Sequence, residues 1–600
     1  MTNKQTAIFI FSKRGEVLAE RLKTELGNAA IHALEGRATG DVSFAKATDH
    51  MANLFKAGHP IIGLCASGIL IRLLSGSLQD KWQEPPVLAV AEDGSAVVPL
   101  LGGHHGANDL ARDIAAVCET SAAITTSGDV HFGVALDQPP TNYVLANPAD
   151  AKGFMAGLLQ GESVKIEGAA SWLEESKLPI DAGGALKISI SNKPLEGSEN
   201  YLVYHKKNLV LGMGSERGAP VEDAIALAEK ALNDGGLSPH SLAAIASIDL
   251  KSDETAIHAV ANHFGVPAWF YDATTLNKYE SQLKNPSDVV KAEVGVAGVA
   301  EGAALAATNG TLLVEKIKSP HATAAIAALG DGATLQEGQA RGRVFLVGFG
   351  PGDQKWRSAE SVTLLQTATD WVGYDLYLDL IQDLKADQKE HRFPLGAEEK
   401  RVRHALELAS SGRDVAVVCS GDPGIFAMAT LAYELIDTGA AEGEVTPAAK
   451  RVEIIVAPGI SAFQAAAARA GAPIGHDFCC ISLSDLLTSR DDILKRLKAA
   501  AEGDFVTAFY NPRSKRRVTL LDEAFDTLRK HRPADTPVIL ATDLGRPAEH
   551  VRVFTLETVN SEDVDMLTLV MVGSSNSKAV KTGDGKTWVY TPRGYDRKEI

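Results

Sequence analysis

Residues Arg343–Asp353 read R-V-F-L-V-G-F-G-P-G-D, and the reading of this stretch decides the fold of the second half of the chain. Val344–Val347 is too short an apolar run for a helix and suits a buried strand. It runs into Gly348-Phe349-Gly350-Pro351-Gly352-Asp353, a turn whose three glycines permit positive φ and close approach of another molecule. A helical segment begins near Ser358. A glycine-rich turn between strand and helix suggests a dinucleotide site, but its details argue against one. The dinucleotide pattern requires a third glycine where Asp353 stands. Pro351 lacks the N–H that a pyrophosphate would use, and Asp353 would repel it. The turn suits a ligand other than a dinucleotide phosphate.

Moving outward, the same strand–turn–helix unit recurs. A helix over Ser358–Thr369 precedes a strand, Trp371–Tyr374, that ends at Tyr374-Asp375. Glu398–Ser411 places Val402, Ala405, Leu406 and Ala409 on one helical face. Asp414–Cys419 is a strand leading to Ser420-Gly421-Asp422-Pro423-Gly424, then a helix through Leu435. Val452–Ala457 leads to Pro458-Gly459-Ile460-Ser461 and a helix over Ala462–Ala470. Phe505–Tyr510 leads to Asn511-Pro512-Arg513-Ser514, followed by the basic run Lys515-Arg516-Arg517. Val538–Thr542 ends at Asp543-Leu544-Gly545-Arg546, and Leu567–Val572 at Gly573-Ser574-Ser575-Asn576. In an open α/β sheet such strand ends gather on one edge, where ligands bind.

The whole chain has 600 residues, which at ~150 per domain suggests about four domains. It is 45% hydrophobic and 22% charged, an ordinary balance for a globular protein. A net charge of −17 argues against a nucleic-acid partner, although local basic clusters can still serve an anionic ligand. The five cysteines form no C-x-x-C pair, so neither a disulfide framework nor a zinc site is expected, and no metal-ligand cluster stands out. No apolar run approaches the ~20 residues of a membrane helix, so a cytoplasmic protein with no membrane partner is expected.

The first half opens as α/β sequence, with Ala7–Phe11, Pro60–Cys65 and Val87–Ala91 as strands and Gly15–Leu26 as a helix. Cys65-Ala66-Ser67-Gly68 is a small-residue turn into a helix. Leu100–Asp109 (L-L-G-G-H-H-G-A-N-D) is a polar turn in which Asn108 or Asp109 can cap the following helix. Its histidines, His104 and His105, are either solvent-exposed neighbours of a cap or groups available for proton transfer in an anion- or carbonyl-binding turn. Leu209–Leu211 is a strand that turns at Gly212–Gly218. Ala244–Ile248 is a strand ending near Asp249 and Lys251, which can form a surface ion pair. Residues 321–342, rich in alanine and glycine, fit a linker.

Two resemblances follow from these motifs. Gly68–Arg72, Lys81 with Pro85-Pro86-Val87, Leu100–Asn108 and Ile124-Thr125-Thr126 resemble the N-terminal domain of the cobalt-precorrin-5A hydrolase family. The order of elements over 208–320 resembles that family's C-terminal domain. The family opens a lactone on a corrin precursor and releases acetaldehyde. The run Gly102-Gly103-His104-His105-Gly106 and the Glu84-Pro85-Pro86 segment depart from its usual pattern, so the fold carries over more safely than the activity. In the second half the ordered set G-x-G-P-G-D, V-G-Y-D, S-G-D-P-G-I-F, A-P-G-I-S-A, Y-N-P-R-S and T-D-L-G-R resembles the tetrapyrrole methylase family. Tyr510–Ser514 and Ala472–Asp485 narrow the resemblance to precorrin-3B C-17 methyltransferases. Gly573-Ser574-Ser575 departs from that pattern.

The second resemblance implies two small α/β domains with S-adenosylmethionine in the cleft between them. Donor contacts would fall on Pro351, Ser420, Gly421, Asp422, Ile425, Ser461, Ala462, Asn511 and Gly545. Asp422 could face the sulfonium or simply form the Asp-Pro-Gly turn. Asp375 matches a position proposed as proton acceptor, and is equally an ordinary strand-end acid. The tetrapyrrole partner, rich in carboxylates, would seek arginine. Arg513 and Arg546 are the candidates, with Gly350, Gly352, Asp353 and Tyr374 completing its surface. The expected organisation is 1–137 and 208–320 as hydrolase-like α/β domains, 138–207 between them, a linker at 321–342, and methylase domains at 343–458 and 459–600. A homodimer is expected. The expected activity is methylation at C-17 with ring contraction. The first half would supply a lactone-opening hydrolase or, alternatively, a non-catalytic tetrapyrrole-binding module. Another activity of the methylase superfamily is the remaining alternative.

Overall fold

The computed structural model describes residues 4–78, 84–125, 127–330, 332–439, 443–514 and 519–595. Lys81, Thr126, Lys515, Arg516 and Arg517 therefore lie outside the described residues. The chain divides into two compact units, one made of Met1–Gly342 with Ser410–Arg413 and Arg451–Glu453, the other of the remaining residues from Arg343 to Ile600. Among the described residues, no helix is long and apolar enough to cross a membrane.

The first unit contains three sheets. A six-stranded sheet runs in the order Val42–Phe44, Ala29–Leu34, Thr6–Ile10, Ile61–Leu64, Val87–Val90 and Val97–Leu101. Its first five strands are parallel and the last is antiparallel. A four-stranded sheet follows in the order Tyr143–Leu145, Tyr201–Lys206, Leu186–Ile190, Val164–Glu167. A five-stranded sheet takes the order Ala268–Tyr271, Leu242–Ile248, Leu209–Ser215, Ala322–Ala328, Thr311–Lys318.

This last sheet corrects two readings of the sequence. The supposed linker at 321–342 contains strand Ala322–Ala328, paired on one side with Leu209–Ser215 and on the other with Thr311–Lys318. The supposed turn at Gly212 is the middle of Leu209–Ser215. Both have one cause. Helix Val299–Thr308, buried from Ala300 to Thr308, lies so close to the sheet that a Cβ on Gly212 would sit 1.9 Å from the Ala300 carbonyl oxygen. Such close packing favours glycine and alanine at the points of contact, so a composition that reads as flexible belongs to a tight sheet–helix contact. The histidine turn also differs. Leu100 and Leu101 end a strand, and the helix Ala107–Val117 starts from Gly106 at φ 89°, so that Asn108 and Asp109 lie inside its first turn and not at the cap position.

The second unit opens on a sheet ordered Lys389–Phe393, Asp370–Tyr374, Asp414–Cys419, Arg343–Gly348, Glu453–Ala457, with its first four strands parallel. Val344–Val347 is fully buried, as expected of a parallel strand covered on both faces. Register is pinned at its base, where Arg343 Nε and Nη2 donate to the two carboxylate oxygens of Asp414 at 2.7 and 2.6 Å. This fork-to-carboxylate geometry would be lost by a one-residue slip. Helix Ala359–Thr367 is capped by Ser358, whose hydroxyl accepts from the Ser361 N–H.

A second sheet is ordered Phe478–Ser482, Val506–Tyr510, Thr568–Val572, Pro537–Thr542, His550–Thr555. Here Thr568–Val572 is antiparallel to both neighbours. Its end, Gly573-Ser574-Ser575, therefore lies beside the start of Pro537–Thr542, and the Gly573 N–H donates to the Pro537 carbonyl. Not all the strand ends gather on one edge. At this strand it is the beginning, around Leu567–Leu569, that shares the edge with Asn511 and Asp543. A small third sheet joins Gly471–Ala472, Thr587–Tyr590 and Lys578–Lys581.

Candidate active site

The loops after strands Arg343–Gly348, Asp414–Cys419 and Glu453–Ala457 meet at Gly421. The Gly421 N–H donates to the Gly350 carbonyl at 2.8 Å, and the Gly350 N–H donates back at 3.3 Å. A Cβ on Gly348 would lie 2.5 Å from the Gly421 carbonyl oxygen, and one on Gly459 only 2.0 Å from it. Asp422 ties the same loops: its carboxylate accepts from the Gly424 N–H at 2.8 Å and from the Gly459 N–H at 3.2 Å. The glycines are thus required by backbone touching backbone.

Around this crossing lies a cavity of about 420 Å³, lined by loops of both sheets of the second unit. Pro351, Ser420, Gly421, Asp422 and Ile425 line it from the first sheet, with Tyr374 and Tyr377. Ser461 and Ala462 open the helix between the two sheets, and Asn511, Asp543 and Arg546 come from the strand ends of the second. Ten residues predicted from the sequence are therefore brought together here.

Others are placed elsewhere. Gly350 and Gly352 do not open room for a flat ligand: added Cβ atoms would meet the Trp356 carbonyl at 3.0 Å and the Gly545 carbonyl at 2.7 Å. Asp353 caps the short helix Gln354–Trp356 and pairs with Lys355 Nζ at 2.7 Å. Hydrogen bonds from Lys355 hold its carboxyl below the usual range. Gly545 backs onto Pro351 and donates its N–H to Glu549 at 2.7 Å. Arg513 is directed to protein, donating from Nη1 to the Ser561 carbonyl at 2.6 Å. Asp375 begins helix Asp375–Asp379 and stands 3.8 Å from Arg392 Nη1, with half its side chain in water and no part in the lining.

In the first unit, His105 donates its N–H to the Gly102 carbonyl at 2.8 Å, while the His104 side chain lies outside the described residues. Gly102, at φ 73°, would place a Cβ 2.5 Å from the Pro85 carbonyl. Lys251 stands 3.9 Å from the buried Glu254, rather than pairing with Asp249. Among the described residues, no group of three or more histidine, cysteine or acidic side chains could hold a metal ion.

Several lining residues escaped the sequence reading. Arg401 is the most informative. It is only 3% exposed, donates from Nη2 to the Pro394 carbonyl at 3.2 Å, and has no partner for Nε among the described residues. It precedes Val402 on the buried face of helix Glu398–Ala409, so an arginine on an otherwise apolar face was the available signal. Arg546 is similar: its Nε has no partner among the described residues, and Asp543 is 3.6 Å from its Nη1. An unpartnered buried donor costs free energy, and a guanidinium at a cavity wall is suited to pairing with a carboxylate. Glu398 lines the cavity too and accepts the Gly396 N–H at 3.1 Å. Burial pushes the Cys419 thiol up to about 12 and raises the Tyr377 and Tyr510 hydroxyls, which leaves these groups protonated. The cavity thus offers cationic donors, three partly buried acids (Glu398, Asp422 and Asp543) and no activated nucleophile, a set suited to binding and aligning two molecules.

Compared with known proteins, residues 343–560 match the family described as Tetrapyrrole (Corrin/Porphyrin) Methylases. Residues 49–129 match Cobalamin synthesis G N-terminal, and 209–327 match Cobalamin synthesis G C-terminus. A precorrin-3B C(17)-methyltransferase of Sinorhizobium sp is 42% identical over 254 residues, which are 42% of this chain and 97% of that one. A probable cobalt-factor III C(17)-methyltransferase of Salmonella typhimurium is 41% identical over 250 residues, covering 42% of this chain and 98% of that one. Cobalamin biosynthesis protein CobIJ of Mycobacterium bovis is 42% identical over 258 residues; the match takes in 48% of it, about half its length. Both resemblances read in the sequence reappear in these matches.

Proposed function

The chain belongs to the tetrapyrrole (corrin/porphyrin) methylase family, and from that premise we propose that residues 343–600 methylate C-17 of precorrin-3B or its cobalt-bearing counterpart, with ring contraction, in cobalamin biosynthesis. The observation that carries this reading is the convergence of strand-end loops from two sheets on one cavity, in a segment that matches a relative of that name along nearly its whole length. When bound, S-adenosylmethionine supplies an electrophilic methyl group on a sulfonium. The lining fits such a donor: the cavity volume falls in the range of small-ligand pockets, and Ser420 and Gly421 line it together with Pro351, Ser461 and Asn511.

The chain's own residues divide the remaining work. Arg401 and Arg546 bring guanidinium groups to the lining, where a carboxylate can pair with them. Asp422 holds the loops at 420–424 and 458–459 in place through its two hydrogen bonds, which is a positioning role. Glu398 takes the place expected of Asp375 as the carboxylate positioned to accept a proton from the macrocycle. The near-equal identity to relatives named for precorrin-3B and for cobalt-factor III supports both substrates equally. Incubating the full chain with donor labelled in its methyl group and with metal-free or cobalt-loaded precorrin-3B tests this reading. Label in the macrocycle is expected, and no transfer to either substrate refutes it.

For residues 1–330 we propose the lactone-opening step of the same pathway, in keeping with the matches over 49–129 and 209–327. A non-catalytic tetrapyrrole-binding role is the second reading. It is favoured by the backbone work that occupies Gly102 and Gly106 in the histidine turn. Acetaldehyde released by the full chain from a lactone-bearing intermediate would exclude pure binding.

A further inference from the structure

Six non-glycine residues among those described hold positive φ, and three of them line the cavity just described: Phe426 at 51°, Asn511 at 49° and Asp543 at 50°. Asparagine and aspartate tolerate this conformation, since a short polar side chain can bond locally. For a phenylalanine it is an outlier. Backbone held in such a region gathers at ligand clamps, where the surroundings sustain it for a purpose. Burial is not that purpose here. The Phe426 side chain is 53% exposed, and its ring centroid lies 5.1 Å from that of Tyr510 at a tilt of 50°.

Phe426 also has company. Leu395, Met566 and Leu567 are 64%, 58% and 52% exposed, and all three line the same cavity. Large apolar side chains from three separate segments, each more than half in water, form a patch that a ligand would cover. Arg401 and Arg546, whose buried Nε atoms have no partner among the described residues, line the same cavity. An apolar seat joined to two guanidinium groups is complementary to a flat ring that carries carboxylates at its edge. A methyl donor, with a single carboxylate and a small purine, leaves much of that seat uncovered.

We propose that Phe426 is the platform on which the face of the tetrapyrrole stacks, with Leu395, Met566 and Leu567 completing the seat. The proposal rests on the function given above. It adds a specificity residue that acts on the macrocycle and not on the donor.

The test uses the full chain and three variants, Phe426→Ala, Phe426→Gly and Phe426→Tyr. Absorbance titration with precorrin-3B reads macrocycle binding, calorimetry with S-adenosylhomocysteine reads the donor side, and thermal melting reads the fold. Stacking of a ring on an aromatic side chain predicts about tenfold weaker macrocycle binding for Phe426→Ala and Phe426→Gly, with Phe426→Tyr near the parent. Affinity for S-adenosylhomocysteine stays within about twofold. Phe426→Gly melts no lower than the parent, because glycine occupies φ 51° without strain. Unchanged macrocycle binding in both Phe426→Ala and Phe426→Gly overturns the proposal. So does loss of S-adenosylhomocysteine binding with macrocycle binding kept. Failure of the function itself has a separate signature, the absence of label transfer by the parent chain.

Discussion

Two glycine-rich turns, one in each unit, look alike in sequence and do different work. At 348–352 every glycine answers to another stretch of backbone: Gly348 and Gly350 to Gly421, and Gly352 to the carbonyl of Gly545. At 102–106 only Gly102 meets foreign backbone, at Pro85, while Gly106 has open space around it and serves by its φ of 89° alone. The first turn belongs to a crossing of three loops around which a cavity forms. The second leads a strand into a helix. A run of glycines therefore records how closely chains approach, and the ligand must be read from the side chains around the crossing.

The contrast can be broken at its strongest point. Gly459→Ala places a Cβ 2.0 Å from the Gly421 carbonyl, and the loops cannot shift singly. A loss of more than about 3 kcal/mol in stability and of all methyl transfer is expected from denaturant titration and the labelled-donor assay. Acid provides the next test. In the first unit His32 and His50 share a 2.8 Å hydrogen bond. Burial, the largest cause for both, lowers them to about 3 and about 4. Because their folded values lie below the unfolded value of ~6.5, their contribution is present above pH ~6.5 and is lost as pH falls through the folded values. Roughly 3 kcal/mol should disappear by pH ~4, so an acid titration read by a probe in the first unit should show its stability falling below pH ~6.5.

Smaller effects sharpen the comparison. Glu398→Gln should lower turnover about a hundredfold with unchanged melting, whereas Asp375→Asn should change turnover little. Arg401→Met should raise the KM for the tetrapyrrole about tenfold at nearly constant stability, because an apolar side chain of similar length removes a buried charge as well as a donor. Equal KM values would place the carboxylates elsewhere. Smallest of all, Gly106→Ala should cost about 1–2 kcal/mol, the strain of a side chain in the left-handed region, because no atom obstructs it. A loss as large as that of Gly459→Ala would erase the distinction between the two turns.

Much of the second unit was legible in the sequence. Strand Asp414–Cys419 and helix Ala462–Ala470 have the ends that periodicity predicts. The turn motifs named ten of the residues that line the cavity, since small and polar residues after an apolar run mark a strand end. What escaped has identifiable causes. The direction of Thr568–Val572 is set by its partners, and an apolar run carries no sign of which way it points. Ala322–Ala328 was hidden because alanine is chosen there for its size, against its preference for helix. Arg513 looked like a substrate ligand because sequence gives a charge and not its partner, which turned out to be the Ser561 carbonyl. Phe426 stood at the end of the motif S-G-D-P-G-I-F without a role of its own, since backbone strain is visible only in three dimensions.

The crossing at Gly421 also limits how this site can diversify. Residues 348–352, 420–424 and 458–461 share one knot of main chain, so a change in any one must be answered by the others. The seat formed by Leu395, Phe426, Met566 and Leu567 is exposed and outside that knot. A descendant of this chain that takes a differently decorated ring would be expected to rewrite those four positions while leaving the glycines letter for letter, a modular division between an inherited frame and an editable face.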